Sequence, residues 1–436
     1  MNNKIYTIDT APVNGFHRRV TACTLGGSFI DGYILGIIEF ALLLIVPYMD
    51  MTAYWQGMIG SSPLIGVFIG SLFFGQLSDA LGRQKIYKYN FLVIVIASVL
   101  QFFVNTAAPL FILRLILGIA IGAEYAIGPA IITEFVPLRL RGATLATLNV
   151  AWTVGYVLSA LIGYLMDGLG ADSWRWMLSS SAIFAVIVMI IRMGLPESPR
   201  WLILHGRESE AADVVHRFIG QNVTIDDLLK KKEEHVEDLG YKHLFINGMW
   251  KKTMFCAIIW LSGVIPLFGI FTFLPSVLNT LGIENEGLGS MLVNLSMLIG
   301  SIVAVFIVDR FSRKKLCAWT LLISGIPLFL LGIWTGADGA TVVLLFGIFI
   351  FFAVIAGSLS GFVYPSEVFP TEIRSSGVGL CSAISRIGSA AGTFLVPVLS
   401  ASVGIGPVLI GMGVFQLIAV AVTICWGPET RNAAVD

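Results

Sequence analysis

The sequence predicts an all-α membrane protein, with twelve transmembrane helices in two pseudo-symmetric six-helix bundles. Composition is the first reason. Hydrophobic residues make up 56% of the 436 and charged residues 12%. A soluble domain carries about 25% charged residues, and a soluble fold of this size could not hide so much apolar surface. The second reason is that apolar runs of spanning length occur twelve times, with one long polar stretch after the sixth. The third is internal repetition. Gly75-Gln-Leu-Ser-Asp79-Ala-Leu-Gly82-Arg83-Gln-Lys85 returns in part as Asp309-Arg-Phe-Ser-Arg313-Lys314-Lys315. Glu134-Phe-Val-Pro137-Leu-Arg-Leu-Arg141 returns as Glu367-Val-Phe-Pro370-Thr-Glu-Ile-Arg374. Pro196-Glu197-Ser returns as Pro428-Glu429-Thr. All three recur at one interval of about 230 residues, which marks two similar halves.

Taken in order, the predicted spans are 20–48, 55–77, 89–107, 109–135, 142–168 and 175–194, then 253–278, 287–308, 315–336, 340–366, 377–402 and 405–427. The expected units are an N-terminal bundle (1–194), a cytoplasmic linker (195–252) and a C-terminal bundle (253–436). The linker is charged and mixed in sign, with the pattern of short surface helices. With both termini inside, all but Arg114, Arg175 and Arg386 of the 27 Lys and Arg fall on the cytoplasmic side, as the positive-inside rule requires. The polar, mixed start of the chain reads as no cleavable signal peptide. The five cysteines (Cys23, Cys256, Cys317, Cys381, Cys425) have neither metal-ligand nor disulfide spacing and read as small buried hydrophobes. The five histidines lie in the N-terminal tail or between the halves, away from any proton path inside the membrane. Zero net charge argues against nucleic acid as a partner. No Gly-x-x-x-x-Gly-Lys-Ser/Thr motif is present, so no ATP site is expected. No cofactor and no metal are expected either.

Gly-x-x-x-Asp-x-x-Gly-Arg-x-Lys after span 2 resembles a signature of the major facilitator superfamily. Arg114-x-x-x-Gly118-x-x-x-Gly122 in span 4 is similar to its second signature. Pro196-Glu-Ser-Pro-Arg-Trp-Leu202 and Pro428-Glu-Thr430 resemble its sugar-porter branch and organic-ion relatives. The resemblance covers nearly the whole chain. It implies secondary transport by alternating access between the bundles, as a monomer in the inner (plasma) membrane, without enzymatic activity. The chain departs from sugar porters in two places. Ile34 follows Gly32-Tyr33 where they place an aspartate, while Asp31-Gly-Tyr and Arg386 look closer to aromatic-acid and organic-ion transporters. In the second copy of the first motif, Val305 and Ser312 replace glycines.

The repeated cytoplasmic motifs read as a gate. Asp79 and Asp309 are placed to cap a following helix. Arg83, Arg141, Arg313 and Arg374 are placed to bridge Glu134, Glu197, Glu367 and Glu429. Plain topological anchoring by these cations is the alternative.

Five charges lie deep in the spans, where an ionised group costs at least ~2.5–3.5 kcal/mol and normally faces a cavity or a partner. At about 1.5 Å per residue, Asp31 falls about 4–5 Å inward and Glu39 about 7–8 Å outward of the middle of span 1. On the same scale Arg114 lies about 12 Å outward and Glu124 about 3 Å inward in span 4. These depths predict an outer Glu39–Arg114 ion pair. They also predict two carboxylates, Asp31 and Glu124, at one level, where like charge favours a held proton. A static ion-pair network is the rival reading. Arg386 reaches the same level from span 11, placed to bind an anionic substrate or to neutralise the carboxylates. Asn149, Trp152 and Tyr156 on span 5, Trp260, Phe268 and Phe271 on span 7 and Asn294 on span 8 are further candidates to line the site. Pro266 and Gly269 mark an expected bend in span 7. The expected activity is proton-coupled uptake of a small polar metabolite, an organic or aromatic acid. Sugar or polyol symport or uniport, and export, are the alternatives.

Overall fold

The computed structural model describes residues 5–233, 241–246, 248–308, 310–334, 336–370 and 373–430. Among them, twelve helices are long and apolar enough to cross a membrane. Span 1 runs Gly15–Gly36 and continues past a small break at Ile37 as Ile38–Tyr48. Spans 2 to 6 are Ala53–Leu81, Arg83–Leu100, Ala107–Phe135, Leu138–Asp167 and Ser173–Arg192. Spans 7 to 9 are Met249–Phe271, Glu286–Ile307 and Arg313–Ile333. Span 10 runs Gly339–Ser358, then one wide turn and Tyr364–Val368; spans 11 and 12 are Arg374–Val403 and Ile405–Trp426.

Each helix falls on a predicted apolar run, and the differences have local causes. Span 3 begins at Arg83, six residues before the predicted start, because Arg83, Lys85 and Lys88 occupy its first two turns. Long cations are tolerated at such an end, where their stems lie on apolar surface and their heads reach water. Span 1 likewise begins early. Asn14 caps it by accepting from the His17 backbone N–H at 3.1 Å, so His17 is a buried helical residue rather than part of a tail. Span 7 passes through Pro266 and Gly269 without stopping. It ends at Phe271, and a second piece, Leu274–Thr280, starts with Pro275 in its first turn, where a missing N–H costs nothing. Four of the cysteines are buried, as expected; Cys425 is exposed.

Small residues set the packing inside each half. Spans 2 and 4 approach so closely that a Cβ at Gly118 would stand 2.6 Å from the Pro63 Cα, and one at Gly122 would stand 2.6 Å from the Ser71 nitrogen. The glycine spacing of the span 4 signature is therefore a helix-contact requirement. Gly118→Val is expected to cost about 1–3 kcal/mol through overpacking, read as a lower melting temperature of the detergent-solubilised protein.

The polar stretch after span 6 forms three short helices, Pro199–Leu204, Glu208–Val214 and Asp226–Glu233. A two-residue strand, Tyr6–Thr7, pairs in parallel with Val223–Thr224. The Asn14 side-chain amide donates to the Phe218 and Ile219 carbonyls at 2.8 and 2.9 Å. The start of the chain thus ties this segment to the first six helices.

Across the halves, span 2 lies along span 11 and span 5 along span 8. The face opposite the chain ends is tightly closed. A Cβ at Gly60 would stand 2.8 Å from the Phe273 ring, and one at Gly287 would stand 2.8 Å from the Tyr164 ring. Tyr54 meets Phe394 edge-on at 5.7 Å. The cation-rich face is cytoplasmic by the positive-inside rule, so the closed side is the outer one and the molecule faces inward.

Candidate functional site

Asp31 is fully buried, and neither of its carboxylate oxygens has a hydrogen-bond partner. Three charged groups lie near it, Glu124, Arg192 and Arg386. The first and third are the residues expected beside it from depth alone. Arg192 is an addition.

Glu124 does not stand as half of a bare carboxylate pair. Arg192, in the last turn of span 6, grips it with two bonds of 2.5 and 2.8 Å. The Arg192 guanidinium also donates to the Cys23 carbonyl at 3.0 Å, and lies 3.5 Å from the Tyr87 ring centre and 4.1 Å from that of Phe91. Both partners are 3% exposed. The sequence placed Arg192 among the cations that fix topology, because it ends its span. The signal was the unexplained acid in the middle of span 4, which demands a cation somewhere.

The Glu39–Arg114 ion pair is not formed. Beyond the break at Ile37, Glu39 faces span 8 of the other half. There it accepts from the Ser290 hydroxyl and from the Asn294 amide at 3.1 Å, with all three residues fully buried. Arg114 is left with one long bond to the Ile34 carbonyl, 3.4 Å, while its Nε and Nη1 have no partner. Glu39 is therefore a bond between the bundles on the closed side, and Asn294 is engaged there rather than free for a solute.

Arg386 projects from span 11 over the ring of Tyr125 on span 4, at 4.8 Å. Tyr125, the neighbour of Glu124, was not singled out in the sequence. Asn149 donates across the halves to the Ser358 hydroxyl at 3.4 Å. Trp152 meets Phe268 edge-on at 6.1 Å, and Tyr156 meets Phe271 at 6.4 Å. Asn149, Trp152, Tyr125 and Arg386 keep partial exposure, whereas Tyr156, Phe271 and Asn294 are sealed into the outer closure. Trp260 packs inside its own half, where a Cβ at Gly361 would touch its ring at 3.4 Å.

On the cytoplasmic face the two halves repeat one arrangement. Arg83 pairs with Glu134, and Arg313 with Glu367, the latter at 3.2 Å. Glu197 accepts from the Arg83 and Gln84 backbone N–H groups at 3.0 and 3.2 Å, so it caps span 3. Glu429 accepts from the Arg313 N–H at 3.0 Å, beside Ser312, which caps span 9 by accepting from the Lys315 N–H at 3.3 Å. A carboxylate at a helix start meets free N–H groups and the positive end of the dipole. Carboxylates of the two Pro-Glu motifs thus stand at both helix starts. The side chains of Asp79 and Arg374 and the whole of Asp309 lie outside the described residues. Arg141 pairs with Asp9 near the chain start, at 2.6 Å, and not with one of the motif glutamates. Among the described residues, each of these ion pairs stays within its own half. That fits an inner face in its open position.

Two look-alike bundles, sealed on one side and enclosing unpaired charge between them, define a membrane carrier. Comparison gives the family. Residues 15–435 match the sugar (and other) transporter family, and the chain belongs to it. It is 37% identical to the inner membrane metabolite transport protein YgcS of Escherichia coli, over 99% of this chain and 96% of that one. It is 26% identical to the niacin transporter NiaP of Acinetobacter baylyi, over 98% of each. The fold is that of the xylose transporter XylE of E. coli in a partially occluded inward-open conformation. The TM-score is 0.83 at 20% identity, over 97% of this chain and all of that one. The protein is a multi-pass inner-membrane transporter, not an enzyme.

Proposed function

We propose that the chain takes up a small metabolite bearing a carboxylate, driven by protons, with Arg386 holding the anion and Asp31 carrying the proton. The observation that carries this is Arg386. It is a partly exposed guanidinium between the bundles, stacked on Tyr125, and among the described residues no carboxylate or carbonyl bonds it. A cation so placed suits an anionic solute, and the neighbouring rings of Tyr125 and Trp152 suit an apolar or planar body. An ionised carboxylate without a partner is costly to bury. The unpartnered Asp31 therefore suits a group that gains and loses a proton in each cycle.

Relatives of this chain are named for niacin, glucose and xylose, so the test must separate acids from sugars. Small carboxylates, sugars and polyols would be added to purified protein in a thermal-shift series. The expected result is stabilisation by carboxylates. Arg386→Gln should then weaken their binding about 10- to 150-fold, the value of about 1.5–3 kcal/mol for a charged hydrogen bond. Stabilisation by a neutral sugar alone, undiminished in Arg386→Gln, would overturn the substrate reading.

A further inference from the structure

We propose that the proton leaves Asp31 for the cytosol inside the first bundle, down one face of span 1 and through Glu124, by a route separate from the space between the bundles. Arg192 is the positioning residue of that route. The inference rests on the reading of Asp31 as the proton carrier and goes beyond it in giving the path.

Gly27, Thr24 and Val20 lie four, seven and eleven residues before Asp31, so they share its stripe on span 1. At Gly27 there is no room for a side chain, because the Glu124 carboxylate and the Arg192 guanidinium fill the place a Cβ would take. The Glu124 carboxylate therefore sits one helical turn below Asp31, a gap of about 5.4 Å along the axis, which one water can bridge. One turn lower, Thr24 donates to the Val20 carbonyl at 2.9 Å and accepts from the Tyr87 hydroxyl at 3.5 Å. The column ends at a cavity of about 210 Å³ lined by Val20, Tyr87 and Arg192 together with Gln84, Lys88 and Glu197. Every residue lining that cavity belongs to the first six helices or to the segment directly after span 6, and none to the second bundle. Arg192 thus touches the cavity on one side and Glu124 on the other.

In the release step, the Asp31 carboxylic acid gives its proton through a water to the Glu124 carboxylate, leaving Asp31 ionised. Glu124 passes the proton to water beside the Thr24 hydroxyl; the Thr24 and Tyr87 hydroxyls hand it on to the cavity that Tyr87 lines, and Glu124 returns as a carboxylate to Arg192. Arg192 keeps Glu124 aimed at Gly27. The other groups facing Glu124 are Asp31, Tyr87 and Cys23. An anion held on Arg386 travels between the bundles and does not enter this column.

The test needs no substrate. Infrared difference spectra of the full-length protein in lipid, after a pH jump, would follow the protonated-carboxyl band assigned to Asp31 by its loss in Asp31→Asn. Glu124→Gln should slow the decay of that band at least tenfold while leaving the band in place. Because Glu124→Gln strands a buried arginine and can fail to fold, a second variant works from the cavity. Gln84→Cys capped with a bulky, charged methanethiosulfonate should slow the decay similarly, while uncapped Gln84→Cys should match the parent. Unchanged decay in Glu124→Gln or in capped Gln84→Cys overturns the route but leaves Asp31 as the carrier. The absence of any band lost in Asp31→Asn overturns the carrier reading itself, and the route with it.

Discussion

Asp31→Asn is expected to abolish uphill uptake while leaving exchange of substrate across the membrane close to the parent rate. Asparagine keeps the size of the side chain and is neutral, so it stands for the protonated carboxyl in every step except release. With one proton per substrate, each unit of pH difference supplies about 1.4 kcal/mol and a tenfold accumulation. In Asp31→Asn that accumulation should fall to one, because no charge is left to return with the empty carrier. Exchange survives because it needs only the loaded carrier to reorient. The burial of Asp31 without a hydrogen-bonding partner is why the effect should be total. Removing a carboxylate held in a structural ion pair would instead lower expression and leave coupling intact. Proteoliposomes with an imposed pH gradient would measure both activities. Accumulation in Asp31→Asn equal to that of the parent protein would remove Asp31 from the mechanism.

The spans were legible because hydropathy is summed over twenty residues, which makes local exceptions harmless. The exceptions that did matter are those that depend on direction. Depth along a helix follows from residue count, so Asp31, Glu124 and Arg386 were expected at one level; all three do lie near one another, with the Glu124 carboxylate one turn inward of Asp31 beside Gly27. Azimuth does not follow so simply. Glu39 and Arg114 have suitable depths, yet the break at Ile37 turns Glu39 to Ser290 and Asn294 in the other bundle. The place of the two Pro-Glu motifs at helix starts was not legible. Two helices begin with exposed N–H groups after a cytoplasmic turn, but the acids that satisfy them, Glu197 and Glu429, lie over a hundred residues further on in sequence. Arg192 was hidden for a third reason. A cation at the end of a span serves topology equally well whether its head points to water or back into the bundle, and only packing decides.

Arg192→Met should be the most damaging change to folding. It removes the guanidinium that makes both bonds to Glu124 and packs against Tyr87 and Phe91. Glu124 is then left as a buried acid without its cation, and breaking a buried pair from one side costs about 3–5 kcal/mol. That is a large share of the roughly 5–15 kcal/mol that holds a typical domain folded. The double variant Glu124→Leu with Arg192→Met removes both charges and keeps apolar volume in a site ringed by aromatic groups. Such replacements are often neutral or stabilising, so the double variant should recover most of the loss. Denaturant titration of the detergent-solubilised proteins would give both values. Recovery of stability without recovery of proton-driven accumulation would show that the pair is kept for transport rather than for folding. If the double variant instead accumulates substrate like the parent, the pair is structural and Asp31 releases its proton without it.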